Sequence, residues 1–427
     1  MVLPMSFLFL KNVYQGALFW LCFIGFFSFP AFTVADSDST WGLVEDFVEN
    51  TFFELRGYTD AYHQKQSPAL YKDQYGAGIQ LRAESYQALT DNLSLNFRLR
   101  AQIEYPDYRS GIFPGPNQND SKSPYVDFQV MNILWEGEEN AFLVGKDVLK
   151  LGFSHLYSPV DRFHTLDWTI PAHNEPNGDF QFSFFHYREE DTIRLTVFPF
   201  GQQDLRQTGS SRQNPNLTLE QDDTLSGLII YDAVRRGFDF YVGGHFGAGA
   251  YPITQALGST RTVVVPESAS LLGGVIATHN AWTLFADGLF QHSLDREDEN
   301  FARLSIGASY ASDIGGLLNI DGFTPTLTYG LDEVTNEARA TTLSTSRNQR
   351  VNANNLLSEF RFEINPDLVI TLADNYSFNT RKHQFGVGGA YSLTDSITLT
   401  LANTFTSQNT PENSSGGYTT LSVSLRF

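Results

Sequence analysis

Cysteine is nearly absent. The single one, Cys22, lies inside an apolar run near the N-terminus. Past residue 35 there is none, so the fold uses no disulfide and no cysteine metal site. Long apolar runs are also missing beyond residue 35, and that excludes a membrane-spanning helix there. Base is scarce beside acid: 28 Lys+Arg stand against 48 Asp+Glu, a formal net charge of −20. Such a balance argues against nucleic acid or an anionic membrane surface as a general partner. There is no HExxH, no serine nucleophile elbow and no compact acid–His pairing outside one loop. No enzyme, cofactor or metal is therefore expected.

What is present begins with a leader. Lys11 is the only charged side chain in residues 1–35, and the apolar run Val13–Pro30 follows it. Thr33-Val34-Ala35 closes the run with small residues. Residues 1–35 read as a signal peptide, cleaved before Asp36. An uncleaved anchor is the alternative. Without that segment the charge becomes 27 against 48, or −21. Residues 36–50 read as a short helix or a leader. Trp41, Val44, Phe47, Val48 and Phe52 fall at helical spacing, and Ser39 or Thr40 can cap them.

From residue 51 onward the pattern is alternation with period two. Leu93, Leu95, Phe97, Leu99, Ala101 and Ile103 share one face. Ser94, Asn96, Arg98, Arg100, Gln102 and Glu104 share the other. A helix does not place apolar residues at every second position. Eighteen such segments run from 51–62 to 418–427, with sixteen as the alternative count. Short links such as Thr90-Asp91-Asn92, Asn365-Pro366-Asp367 and Leu393–Asp395 alternate with long polar ones such as 106–124, 148–179, 201–223, 251–267 and 332–354. A secreted sandwich or β-helix would also alternate, yet would not need links of two lengths. The expected class is all-β: a transmembrane antiparallel β-barrel over 51–427, with short periplasmic turns and long extracellular loops. Lipid-facing and lumen-facing residues cancel in the mean hydropathy, while aromatics stay high at 14% with 36 Phe.

The last segment, Tyr418-Thr419-Thr420-Leu421-Ser422-Val423-Ser424-Leu425-Arg426-Phe427, carries Leu421, Val423 and Leu425 on one face before a final Phe. It resembles the C-terminal signature of Gram-negative outer-membrane barrels, and the chain is similar to the porins among them. That resemblance implies an outer-membrane location and recognition of Phe427 by the barrel-assembly machinery. It also implies outer-membrane lipid and lipopolysaccharide as surroundings, small solutes as cargo, and a possible homotrimer. The stretch Gly145-Lys146, Gly152, Pro159-Val160-Asp161 also resembles one in porin-like and polysaccharide-export barrels. Those families often show Gln or Arg where Lys146 stands.

Two groups of residues carry the functional reading. Polar faces of the first, second, third and last segments hold Glu54, Arg56, Arg82, Glu84, Arg98, Arg100, Glu104 and Arg426. Arg194, Arg303, Glu359, Arg361 and Glu363 decorate the rest. A charge at the lipid midplane would cost about 2–4 kcal/mol, so alternation assigns these groups to the lumen. They would line a solvated, charged pore, or else pair off and plug it. The second group is the third long loop, with Tyr157, Asp161, Arg162, Phe163, His164, Asp167 and Trp168. A loop of this length with so many apolar residues is expected to pack on something. In general porins the third loop folds inward, and by position this one would narrow the pore. The alternative is a surface cap. The expected function is a channel for passive diffusion of small polar or charged solutes. A polysaccharide exporter or a structural or adhesive barrel with a blocked lumen stands as the alternative.

Overall fold

The computed structural model describes residues 50–427 apart from 65–74, 106–110, 113–124, 162, 164, 167–175, 200–216, 220–224, 249–252, 258–259, 265–266, 295–299, 313–319, 335–353, 380 and 409–415. The expected signal peptide and N-terminal helix lie outside these residues, Asn50 excepted. The barrel forms one compact unit, Thr51–Phe427.

Strand β1 is Thr51–Gln64, β2 Tyr75–Thr90, β3 Leu93–Tyr105, β4 Tyr125–Glu136, β5 Asn140–Asp147 and β6 Asp179–Arg188. Strand β7 is Asp191–Phe198, β8 Ser226–Arg235, β9 Phe238–Ala248, β10 Glu267–His279, β11 Trp282–Ser293 and β12 Phe301–Tyr310. Strand β13 is Gly322–Val334, β14 Asn355–Asn365, β15 Leu368–Ser377, β16 Lys382–Thr394, β17 Ile397–Gln408 and β18 Gly416–Arg426. Each pairs antiparallel with the next in sequence, and β18 returns to β1 with Glu54 opposite Arg426. The sheet counts nineteen strands because Gly111–Ile112 adds a short parallel pairing on β4; the closed ring itself has eighteen. Closure leaves no unpaired edge among the eighteen described strands of the ring, which a wall in hydrocarbon requires.

The two ends of the barrel differ. At one end the links after β2, β4, β6, β8, β10, β14 and β16 are two or three residues long. Local chemistry sets several of them. Asn365 Oδ1 accepts from the N–H groups of Asp367 and Leu368 at 3.0 and 2.9 Å. Thr394 Oγ1 does the same for Ser396 and Ile397 at 3.3 and 3.1 Å. These are the local side-chain bonds that polar turn residues make. The link after β12, 311–321, is the long exception at this end, and the other links lie at the opposite end.

Burial in this wall is inside out. Ile79 and Ile103 are 58% and 60% exposed, while Gln80 and Gln102 beside them are 4% and 3% exposed. Apolar side chains face outward on nearly every strand, and polar ones fill the inside, as a sheet closed in lipid demands. Aromatics gather outside at both rims. Trp135 meets Phe142 at 5.6 Å, and Trp282 meets Tyr310 at 4.8 Å, near the short turns. Tyr376 meets Phe378 at 5.0 Å near the long loops. One register shift matters inside. An extra residue in β4 puts Asp127 and Gln129 inward before the shift and Asn132 after it.

The alternation fails on one arc of the inner wall. Phe198, Leu228, Ile230, Tyr241, Leu272 and Leu289, on strands β7 to β11, all face inward and are buried. In a polar lumen such a patch needs a cover.

Candidate pore wall and loop across the lumen

The cover is the segment after β5. Leu149, Val160 and Phe163 close the apolar cluster, with Leu151 and Phe153 packed against it. The ring of Phe163 stacks on Phe198 at 6.4 Å and approaches His245 at 5.3 Å. Each such side chain removed from water contributes roughly 2 kcal/mol. Contacts from β7 round to β14 place this segment inside the ring.

The segment is also tied by hydrogen bonds. Asp287, on β11 and 1% exposed, accepts from Phe153 N at 2.9 and 3.0 Å and from Ser154 N at 2.9 Å. Tyr241 Oη donates to the same carboxylate at 2.8 Å. Tyr241 and Asp287 lie on β9 and β11, either side of Gly274 on β10. A Cβ at 274 would stand 2.6 Å from Tyr241 Cε1 and would overlap Asp287 Oδ1. Glycine there lets the two meet. Further along, Tyr157 lies on Gly330 of β13, where a Cβ would be 2.7 Å from its Cδ1. His155 Nε2 comes within 3.4 Å of Glu359 Oε1 on β14.

The segment braces itself as well. Leu151 N donates to Asp161 Oδ1 at 3.2 Å, and Ser158 Oγ donates to Leu151 O at 3.1 Å. Gly152 takes φ +95°, in the left-handed region, with Ser158 packed where a Cβ would be. Of the loop residues expected to matter, Tyr157, Asp161 and Phe163 are thus placed. Arg162, His164, Asp167 and Trp168 lie outside the described residues.

The wall charges fall into separate groups. On β1 to β3, Glu54 accepts from Arg56 Nη2 at 3.1 Å and lies 3.6 Å from Arg82 Nη1. Arg98 Nη2 donates to Glu84 Oε1 at 2.6 Å. One register row runs Arg426, Glu54, Arg82, Arg100 and Asp127 across five strands. Lys146 Nζ then donates to Asp127 Oδ1 at 3.2 Å. Base therefore exceeds acid along this strip, in a chain that is acidic overall. Arg56, Arg82 and Arg98 stay partly exposed, whereas Arg100 is 1% exposed. On β14, Glu359 is partly exposed, and Arg361 donates to Glu363 at 3.0 Å with both exposed by about half, at 50% and 42%. The side chain of Glu104 lies outside the described residues.

Arg194 and Arg303 stand apart from both groups. Arg194 donates to Thr196, Gln181 and Ser183 at 3.0–3.3 Å and lies over the Phe185 ring at 4.7 Å. Arg303 donates through Nε to Asp332 Oδ1 at 3.1 Å, and the two side chains are 0% and 4% exposed. That pair belongs to the covered wall. Among the described residues no group of three or more His, Cys, Asp or Glu is arranged to hold a metal ion.

Sequence reading passed over Asp287, Tyr241, Gly274, Gly330 and the apolar arc. A signal was there. Leu228-Ile229-Ile230, Leu271-Leu272 and Leu289-Phe290 are apolar on both faces, unlike the strict alternation of β3.

A closed antiparallel ring of eighteen strands, apolar outside and polar inside, with a segment bound across its interior, has the fold of the outer-membrane porins. Two solved structures set the likeness. A BenF-like porin from Pseudomonas fluorescens Pf-5 aligns with TM-score 0.52 over 89% of this chain and all (100%) of its own, at 10% identity. OpdK of Pseudomonas aeruginosa, solved with vanillate, aligns with TM-score 0.51 over 89% of this chain and 99% of its own, also at 10% identity. No protein-family model matches the sequence, and no curated protein does either.

Proposed function

We propose that this chain is an outer-membrane channel through which small polar or charged solutes diffuse passively. One observation carries the reading. The segment 148–161 is bound to the wall from β7 round to Glu359 of β14, while the charged groups on β1 to β3 and on β14 keep part of their surface. A passage is then bounded by the Arg-rich strip on one side and by His155, Glu359, Arg361 and Glu363 on the other. The excess of base on the strip favours entry of small anions. In this reading the short turns are periplasmic, the long loops are extracellular, and residues 1–35 are the export signal.

The test is conductance. Folded protein in a planar bilayer should give stable single-channel steps, and a salt gradient should give a reversal potential on the anion side. A folded barrel that conducts nothing would sink the channel and favour a structural or adhesive barrel. Conductance that a long anionic polysaccharide blocks by threading, but small anions barely use, would favour an exporter.

A further inference from the structure

Alternation within the docked segment turns one charged side chain toward the open lumen. Leu149 forms an isolated antiparallel bridge with Phe163, so the backbone there is extended and successive side chains point to opposite sides. Leu149 is 2% exposed, and Leu151 packs against the same apolar cluster. Lys150 between them therefore points away from the β7–β11 wall, into the passage, and it is exposed.

Its charge is also unshared. Elsewhere around the passage base sits against acid. Arg56 and Arg82 lie beside Glu54, Arg98 beside Glu84 and Arg361 beside Glu363, at 2.6–3.6 Å. On the segment itself, His155 reaches Glu359 at 3.4 Å. Asp161 is the one carboxylate of residues 148–161, and it accepts from Leu151 N at 3.2 Å. Among the described residues no carboxylate pairs with Lys150.

We infer that Lys150 determines the anion preference of the passage, adding an unshared charge to the strip, and that it selects by charge rather than by shape. The inference rests on the reading of the chain as a channel. A cation beside its carboxylate presents a dipole to a passing ion, and the two Coulomb terms largely cancel with distance. A lone ammonium keeps its full field, and its place on the lumen side of the segment lets permeating solutes reach it. An ammonium is a compact point charge, without the planar fork by which a guanidinium fits a carboxylate. Chloride, acetate and benzoate should therefore feel it alike.

The experiment is planar-bilayer recording of the purified protein, with potassium as the cation and chloride, acetate or benzoate as the anion. Lys150→Met should lower the anion-to-cation permeability ratio about threefold or more, by the same factor for all three anions. Lys150→Cys tests the placement, because Cys22 is the only native cysteine. A water-soluble cationic thiol reagent should return the Lys150→Cys ratio to the native value, and an anionic one should push it further toward cations. The native protein should respond to neither. An unchanged ratio in Lys150→Met overturns the inference. So does a loss confined to one anion, which would mean a site that reads shape. A Lys150→Cys channel that ignores both reagents, or a native channel that responds as strongly, overturns it as well. Conducting variants with native selectivity fail only this inference, whereas a native protein that inserts and never conducts fails the channel reading itself.

Discussion

Tyr241 and Asp287 meet across Gly274, joined by a 2.8 Å hydrogen bond that spans an intervening strand. The same carboxylate holds the backbone of Phe153 and Ser154. Removing it orphans three donors at once. Asp287→Ala should cost on the order of 3 kcal/mol in urea unfolding measured in lipid vesicles. It should also raise single-channel conductance and its noise, because residues 148–161 lose their anchor. Gly274→Ala should shift conductance in the same direction, since a methyl group there parts Tyr241 from Asp287. Unchanged conductance in both variants would remove the anchor role.

A second contact tests where the segment crosses. Gly330 leaves room for Tyr157, and a Cβ at 330 would stand 2.7 Å from the Tyr157 ring. Gly330→Ala should lift that part of the segment off β13 and increase conductance. Adding Tyr157→Ala removes the clash, so protease sensitivity of the double variant should match that of Tyr157→Ala alone. A non-additive pair of this kind is expected only for residues in contact. Strict additivity would mean that Tyr157 does not rest there.

Much of this architecture is legible in the sequence, for one physical reason. Strand period and lipid–lumen alternation are local, so β3 can be read from Leu93 to Glu104 without its neighbours. The terminal Phe427 is equally local, and it ends bonded to Phe53 through both backbone groups at 3.0 and 3.1 Å. What stayed hidden is non-local. Nothing near Asp287 in sequence says that Tyr241 and Phe153 will reach it, because registers across three strands decide that. The inward Leu228, Ile230 and Leu272 break the alternation rule, and only a docked loop accounts for them. Arg303 shows the same limit. Alternation puts it on the inner face, yet cannot tell a solvated charge from a covered one.

The strip on β1 to β3 makes a prediction about selectivity. Arg56→Ala/Arg82→Ala/Arg98→Ala should move the reversal potential toward cations, since Glu54 and Glu84 remain. Glu54→Gln should move it the other way. Both effects depend on screening, and the Debye length is about 10 Å at 0.1 M salt and 3 Å at 1 M. The difference between native and triple variant should therefore shrink steeply as salt rises over that range. A selectivity difference that persists at 1 M would mean that pore width, rather than the field of the strip, sets it.

Arg303 and Asp332 offer the opposite case, a charge pair on the covered wall that should act on stability and leave selectivity alone. Their side chains are 0% and 4% exposed, and Arg303 also lies over the Phe301 ring at 4.8 Å. Breaking a buried pair leaves one charge without its partner and typically costs about 3–5 kcal/mol. Replacing both members by apolar groups of similar volume removes that penalty. Asp332→Leu should thus strongly destabilise the barrel in urea unfolding, and Arg303→Met/Asp332→Leu should recover most of the loss. Reversal potentials of the double variant should equal those of the native protein. If the double variant shifts selectivity, Arg303 reaches the permeating solute, and the passage then extends beneath residues 148–161 to the β12–β13 wall.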